Sequence, residues 1–174
     1  MNPTTTTTDT VTNRVVKPGA AAGLAAALVM ALFWMLVSAA QGAGLFTPLK
    51  LIGATFYAGA AMTYDTAAVL FGLMAHLAFG LAFGVIFAAL TRRVRAAQTL
   101  VAAGLAYGAA IMLLMTYTVL PWASPILFAT IDTAWFFVFH LVFGLTLPVA
   151  LELRRRQARR VHAWVPPHEA RSRP

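Results

Sequence analysis

Four long apolar runs alternate with short polar breaks along this chain. They cover about 19–40, 66–90, 100–120 and 133–153, with no uncompensated charge inside any of them. At ~1.5 Å rise per residue, about 20 helical residues cross the ~30 Å hydrocarbon core of a bilayer. A chain in lipid must satisfy its own backbone hydrogen bonds, so each run predicts a spanning α-helix. Pro121 is expected to end the third. The pattern therefore predicts an all-α polytopic membrane protein, with a transmembrane domain over 18–153. The polar stretch 1–17, which includes the run Thr4 to Thr8, is expected to be a disordered tail. Residues 154–174 are expected to form a basic tail. Val37-Ser38-Ala39 resembles a signal-peptide cleavage site, but the first run is long for such a peptide.

The connection between the first two runs is itself apolar, with Leu45, Phe46, Leu49 and Ile52, yet too short to span. Thr47-Pro48 reads as an N-cap followed by proline at the first helical position. A short interfacial or re-entrant helix over about 48–58 is expected there. The connection from Pro121 to Ile131 carries Trp122 and reads as an interfacial loop.

A second pattern is internal. His76-Leu77-Ala78-Phe79-Gly80-Leu81 returns as His140-Leu141-Val142-Phe143-Gly144-Leu145. Gly23-Leu24-Ala25 in the first run matches Gly104-Leu105-Ala106 in the third, and Asp65-Thr66-Ala67 matches Asp132-Thr133-Ala134. The order is the same in both halves, so the expectation is two parallel pseudo-repeats about an axis along the membrane normal. The copies differ in length: Asp65 and His76 lie 11 residues apart, Asp132 and His140 only 8.

Composition makes lipid the necessary solvent. The chain is 60% hydrophobic and 10% charged, against roughly 25% charged in a soluble domain. The net charge of +8 would suggest nucleic acid in a soluble protein. Here the cations flank the apolar runs: twelve of the thirteen Lys and Arg fall on one side, and only Lys50 on the other. The positive-inside rule then predicts both termini in the cytoplasm, in a membrane of the bacterial inner type. The partners expected are the bilayer, anionic lipid at the basic tail, and a protein partner or a second copy within the membrane. No nucleic acid is expected.

Small residues recur every fourth position. Gly80 and Gly84 in the second run, Gly23 in the first, and Gly104 and Gly108 in the third are expected to carry helix packing. Trp34, Ser38, Gln41, Thr116, Tyr117 and Thr118 lie toward the other end, where an outward-opening cavity is expected. Asp65 and Asp132 are expected to cap the helices that follow them. Glu152 is expected to pair with the arginines beside it.

His76 and His140 are the candidate site, because an ionisable group inside a membrane is costly and tends to be functional. The simplest expectation is a neutral ring bonded to a neighbouring helix, through Ser38 or Thr116. The sharper one is a ligand pair for haem b or a metal, with Gly80 and Gly144 leaving room for a porphyrin edge one turn from each ring. A closed zinc site lacks its four ligands. With no cysteine, no nucleotide loop and no nucleophile–base–acid set, there is no catalytic candidate. The first expectation is a non-enzymatic accessory or scaffolding subunit, or a homo-oligomer. The alternatives are a haem-b or metal-binding electron-transfer subunit and a small transporter or channel.

Overall fold

The computed structural model describes residues 12–56 and 66–163, and for 13, 14 and 158–163 the backbone alone. Among them every regular element is helical. α1 is Lys17–Ala40, α2 Thr47–Gly53, α3 Thr66–Leu90 and α4 Ala97–Leu114. A π-helical segment, Met115–Val119, carries α4 into α5, Leu120–Ala123. α6 is Pro125–Thr130 and α7 Thr133–Ala163. Four helical stretches, Lys17–Ala40, Thr66–Leu90, Ala97–Ala123 and Thr133–Gln157, are long and apolar enough to cross a membrane. Leu28, Leu32 and Leu36 form an exposed row on α1, and Leu145, Val149 and Leu153 another on α7. Such rows are stable against acyl chains, not water.

Four boundaries depart from the sequence pattern. Thr12–Val16 is a π-helical turn running straight into α1, so the tail expected over 1–17 is in part helical; residues 1–11 lie outside the described ones. α2 ends at Gly53 within the expected 48–58, and residues 57–65 are not described. Thr47 is not its N-cap: that position is Phe46, and the Thr47 hydroxyl donates back to the Ala43 carbonyl, 2.5 Å away. α7 continues past Leu153 to Ala163, because nothing after Leu153 opposes helix until the proline pair at 166.

The fourth departure is at Pro121, which does not stop the third span. Its ring clashes with the carbonyl four residues back, and it has no N–H to give. The preceding turn widens to the π pattern, with the Leu120 N–H bonded to the Met115 carbonyl, and the chain stays helical to Ala123. Segments of this kind are rare and gather at functional sites.

α1 packs on α3 along one side and on α7 along the other; α4 packs on α7, and α2 lies against α3. Backbone contact explains the first and third of these. A Cβ added at Gly23 would land on the Gly80 carbonyl oxygen, and one at Gly84 on that of Gly19. In the other half, a Cβ at Gly104 would land on the Gly144 carbonyl oxygen, and one at Gly108 on that of His140. Without a hydrophobic force between helices in lipid, close approach of this kind gives the dispersion contact that holds them. α2 meets α3 in the same way: Cβ atoms at Gly53 and Gly72 would meet the carbonyls of Ala68 and Leu49. The link from α1 to α2 turns at Gly42 and Gly44, with φ of 76° and 97°, values that L side chains resist. Ser38 secures that turn by donating to the Gly44 carbonyl, 2.8 Å away.

Side chains join α1 to α7. Ala22, Ala26, Leu147 and Leu151 belong to one buried cluster. Further along, Trp34 stacks on Phe139, with centroids 5.2 Å apart, and meets Phe136 edge-on at 6.0 Å.

Candidate functional site

α3 and α4 have no comparable seam. They meet at Tyr107, whose hydroxyl donates to the Phe83 carbonyl at 3.0 Å and whose ring lies 5.3 Å from that of Phe87. Beyond this bridge the helices leave a half-open cavity of about 160 Å³. α1 contributes Met30 and Trp34 to its wall, α3 His76 and Phe79, and α7 Phe136 and His140. The span Ala97–Ala123 contributes Ile111 and Met115, and Ile52, Thr55, Ser124 and Leu127 also line it.

Both candidate histidines therefore border one interior space. Neither bonds to Ser38 or Thr116. His76 Nε2–H donates to the Ala27 carbonyl of α1 at 3.0 Å. His140 Nδ1–H donates to the Phe136 carbonyl one turn back in its own helix, at 2.8 Å. A carbonyl oxygen only accepts, so these bonds fix each neutral ring's tautomer. The lone-pair nitrogen is Nδ1 in His76 and Nε2 in His140. Neither has another partner among the described residues. Gly108 of α4 packs onto the backbone at His140, as Gly23 of α1 packs at Gly80, yet the His140 ring bonds within its own helix.

The sequence reading missed Ser124. It sits between α5 and α6 in the N-cap position of α6, yet its side chain makes no capping bond. Pro125 follows it and has no N–H. Ser124 is 3% exposed, lines the cavity, and its Oγ has no partner among the described residues. The adjacent Ser-Pro is a common helix start, so the residues alone gave no signal that the hydroxyl turns elsewhere. Thr116, inside the π-helical segment, is likewise buried with its Oγ unpartnered.

A porphyrin does not suit this arrangement. Gly80 and Gly144 are the positions expected to leave it room, but Gly23 and Ala27 pack onto Gly80, which still borders the cavity, and Gly104 and Gly108 cover Gly144. About 160 Å³ matches one aromatic ring, since cavities of ~150 Å³ hold benzene. Among the described residues no group of three or more His, Cys, Asp or Glu gathers to hold a metal ion.

A second cavity, of about 140 Å³, lies toward the α2 end. Of the polar and bulky groups expected at this end, Trp34, Ser38 and Gln41 line it, together with Thr130 and Asp132, whereas Tyr117 is 69% exposed on the surface. Trp34 and Phe136 border both cavities and stand between them. Asp132 caps α7, its Oδ1 accepting from the N–H groups of Ala134 at 2.9 Å and Trp135 at 3.0 Å. Asp65, its counterpart, lies outside the described residues. At the opposite end Glu152 pairs with Arg156 at 2.9 Å on the surface. Arg155 reaches the loop between α3 and α4, donating to the carbonyls of Thr91 at 3.2 Å and Val94 at 3.4 Å.

Fold and site together define a class: an all-helical protein with four candidate membrane spans around an interior cavity. A family model, described as a family of unknown function, DUF6789, matches residues 13–162, and the chain belongs to that family. No curated protein and no solved structure matches it.

Proposed function

We propose that this chain is a non-enzymatic integral protein of a bacterial-type inner membrane, an accessory subunit whose helices hold a small, largely apolar molecule. Both termini face the cytoplasm in this reading, because the cations at the ends of α3 and α7 and before α1 share one side. The observation that carries the proposal is that His76 and His140, from different helices, border one cavity with the unpartnered Ser124 hydroxyl. A pure scaffold needs no such space, and polar atoms left unpaired in it are a cost without return. Binding sites are typically apolar concavities with a few placed polar groups. The transporter reading needs a continuous route, and Trp34 and Phe136 divide the two cavities.

The test is native mass spectrometry of the full chain released from lipid nanodiscs made with native membrane extract. The expected result is a small-molecule adduct on the wild type. Ala123→Phe, which fills the cavity from its wall, should remove it, whereas Leu36→Phe on the lipid face should keep it. A wild type that carries no adduct, or one that Ala123→Phe leaves in place, returns the assignment to scaffolding.

A further inference from the structure

We infer that the ligand of this cavity is a single neutral ring bearing hydroxyl groups, of the hydroquinone type, with its hydroxyls donating to the open nitrogens of His76 and His140. The inference rests on the binding role proposed above and specifies what is bound.

Size gives the first limit. About 160 Å³ seats one six-membered ring with small substituents, and the half-open mouth leaves a path for any tail. Charge gives the second. Among the described residues no Lys, Arg, Asp or Glu lines the cavity, so a carboxylate, phosphate or ammonium would enter unpaired by them, which is strongly unfavourable away from water.

Hydrogen bonding gives the third limit. Backbone carbonyls hold the Nε2–H of His76 and the Nδ1–H of His140, so what each ring still offers is a lone pair. Two acceptors need two donors. A hydrocarbon supplies none, and ketones, esters and quinones only accept. The Ser124 hydroxyl both donates and accepts, so it can take the second lone pair of a ligand hydroxyl. The wall favours a flat ring over a saturated one, since Trp34, Phe79, Phe83 and Phe136 offer faces and edges to an aromatic partner.

The experiment uses the full chain in nanodiscs, without oxygen and with reductant, and three probes of similar shape. Methylhydroquinone has two donors, 2,5-dimethoxytoluene has the ring and oxygens but no donor, and toluene has neither. Titration calorimetry should show methylhydroquinone binding at least about tenfold more tightly than 2,5-dimethoxytoluene, the worth of one retained hydrogen bond. His76→Ala and His140→Ala should each cost about tenfold for methylhydroquinone while toluene binds as before, which shows that the cavity persists. If either variant fails to fold, His→Asn at the same position serves in its place. Equal affinity of wild type for all three probes overturns the inference and leaves the binding role standing. No binding of any probe, together with no native adduct, overturns both.

The hydroquinone could come from the bilayer or from solution. A hydroquinone with one isoprenyl unit that outcompetes methylhydroquinone in the nanodisc identifies a membrane quinol. One that competes no better identifies a free phenolic compound.

Discussion

The seam between α1 and α7 and the meeting of α3 with α4 would be equivalent if the chain's two halves obeyed a strict two-fold relation. They are not alike. α1 and α7 close along their length, through the cluster with Ala22, Ala26, Leu147 and Leu151 and the aromatic group of Trp34, Phe136 and Phe139. α3 and α4 are held at Tyr107 and part beyond it. The contacts within each half do match: Gly23 meets Gly80 as Gly104 meets Gly144. Two similar helix pairs thus join tightly on one side and loosely on the other, and the interior cavity lies by the loose side. The looser join is where a bundle of this size has space to spare.

The largest expected contrast sets a core residue against one on the cavity wall. Leu147 is fully buried on the row of α7 that also carries Phe139. Leu147→Ala should lower stability by about 2–5 kcal/mol, through lost contacts and the void left behind. Phe79 borders the cavity on α3 and is 52% exposed, so Phe79→Ala should cost well under half as much. Thermal melting of both in one detergent measures the difference. Equal losses would mean that the α3–α4 side is as tightly built as the other.

Tyr107 is the middle case. Tyr107→Phe keeps the ring contacts with Phe83 and Phe87 and removes only the hydrogen bond to the Phe83 carbonyl. A loss of about 1 kcal/mol is expected. A spin-label pair on α3 and α4 should report a broader distance distribution, while a pair on α1 and α7 should not change. Broadening at both would make Tyr107 a general packing residue and not the tie of the loose side.

Much of this architecture is legible in the residues themselves. Spanning helices follow from solvent and length, and α3 ran over Thr66–Leu90 as its apolar run predicts. The glycines at 23, 80, 84, 104 and 108 packed as their four-residue spacing implies. The histidines' partners were not legible, because a backbone carbonyl leaves no mark on residue identity. Nor was the continuation past Pro121, since proline announces the clash but not that the turn at Met115–Val119 widens to absorb it. Gly144 is the ambiguous case: a missing side chain reads equally as room for a ligand or as contact with a neighbour, and Gly144 packs against Gly104 and Gly108. The parting of α3 from α4 depends on how two pairs dock, which short apolar motifs do not encode.

The smallest expected effect is at the basic end, where α7 reaches over to the loop between α3 and α4. Arg155 donates to the carbonyls of Thr91 and Val94, near the end of α3, where carbonyls lack helical partners and a cation meets the negative end of the helix dipole. The bonds are long, 3.2 and 3.4 Å, and the side chain is half-buried, so Arg155→Gln should cost only about 0.5 kcal/mol in overall stability. Its neighbour makes the control. Glu152 and Arg156 form an exposed pair one turn apart on α7, and Glu152→Gln should also cost about 0.5 kcal/mol or less. Melting will scarcely separate the two, but hydrogen exchange will. The Val94 N–H is bonded to the Thr91 carbonyl, which Arg155 also holds. Arg155→Gln should therefore speed exchange at Val94 several-fold, and Glu152→Gln should leave it unchanged. If neither variant moves it, the loop keeps its shape without α7, and Tyr107 alone holds α4 beside α3.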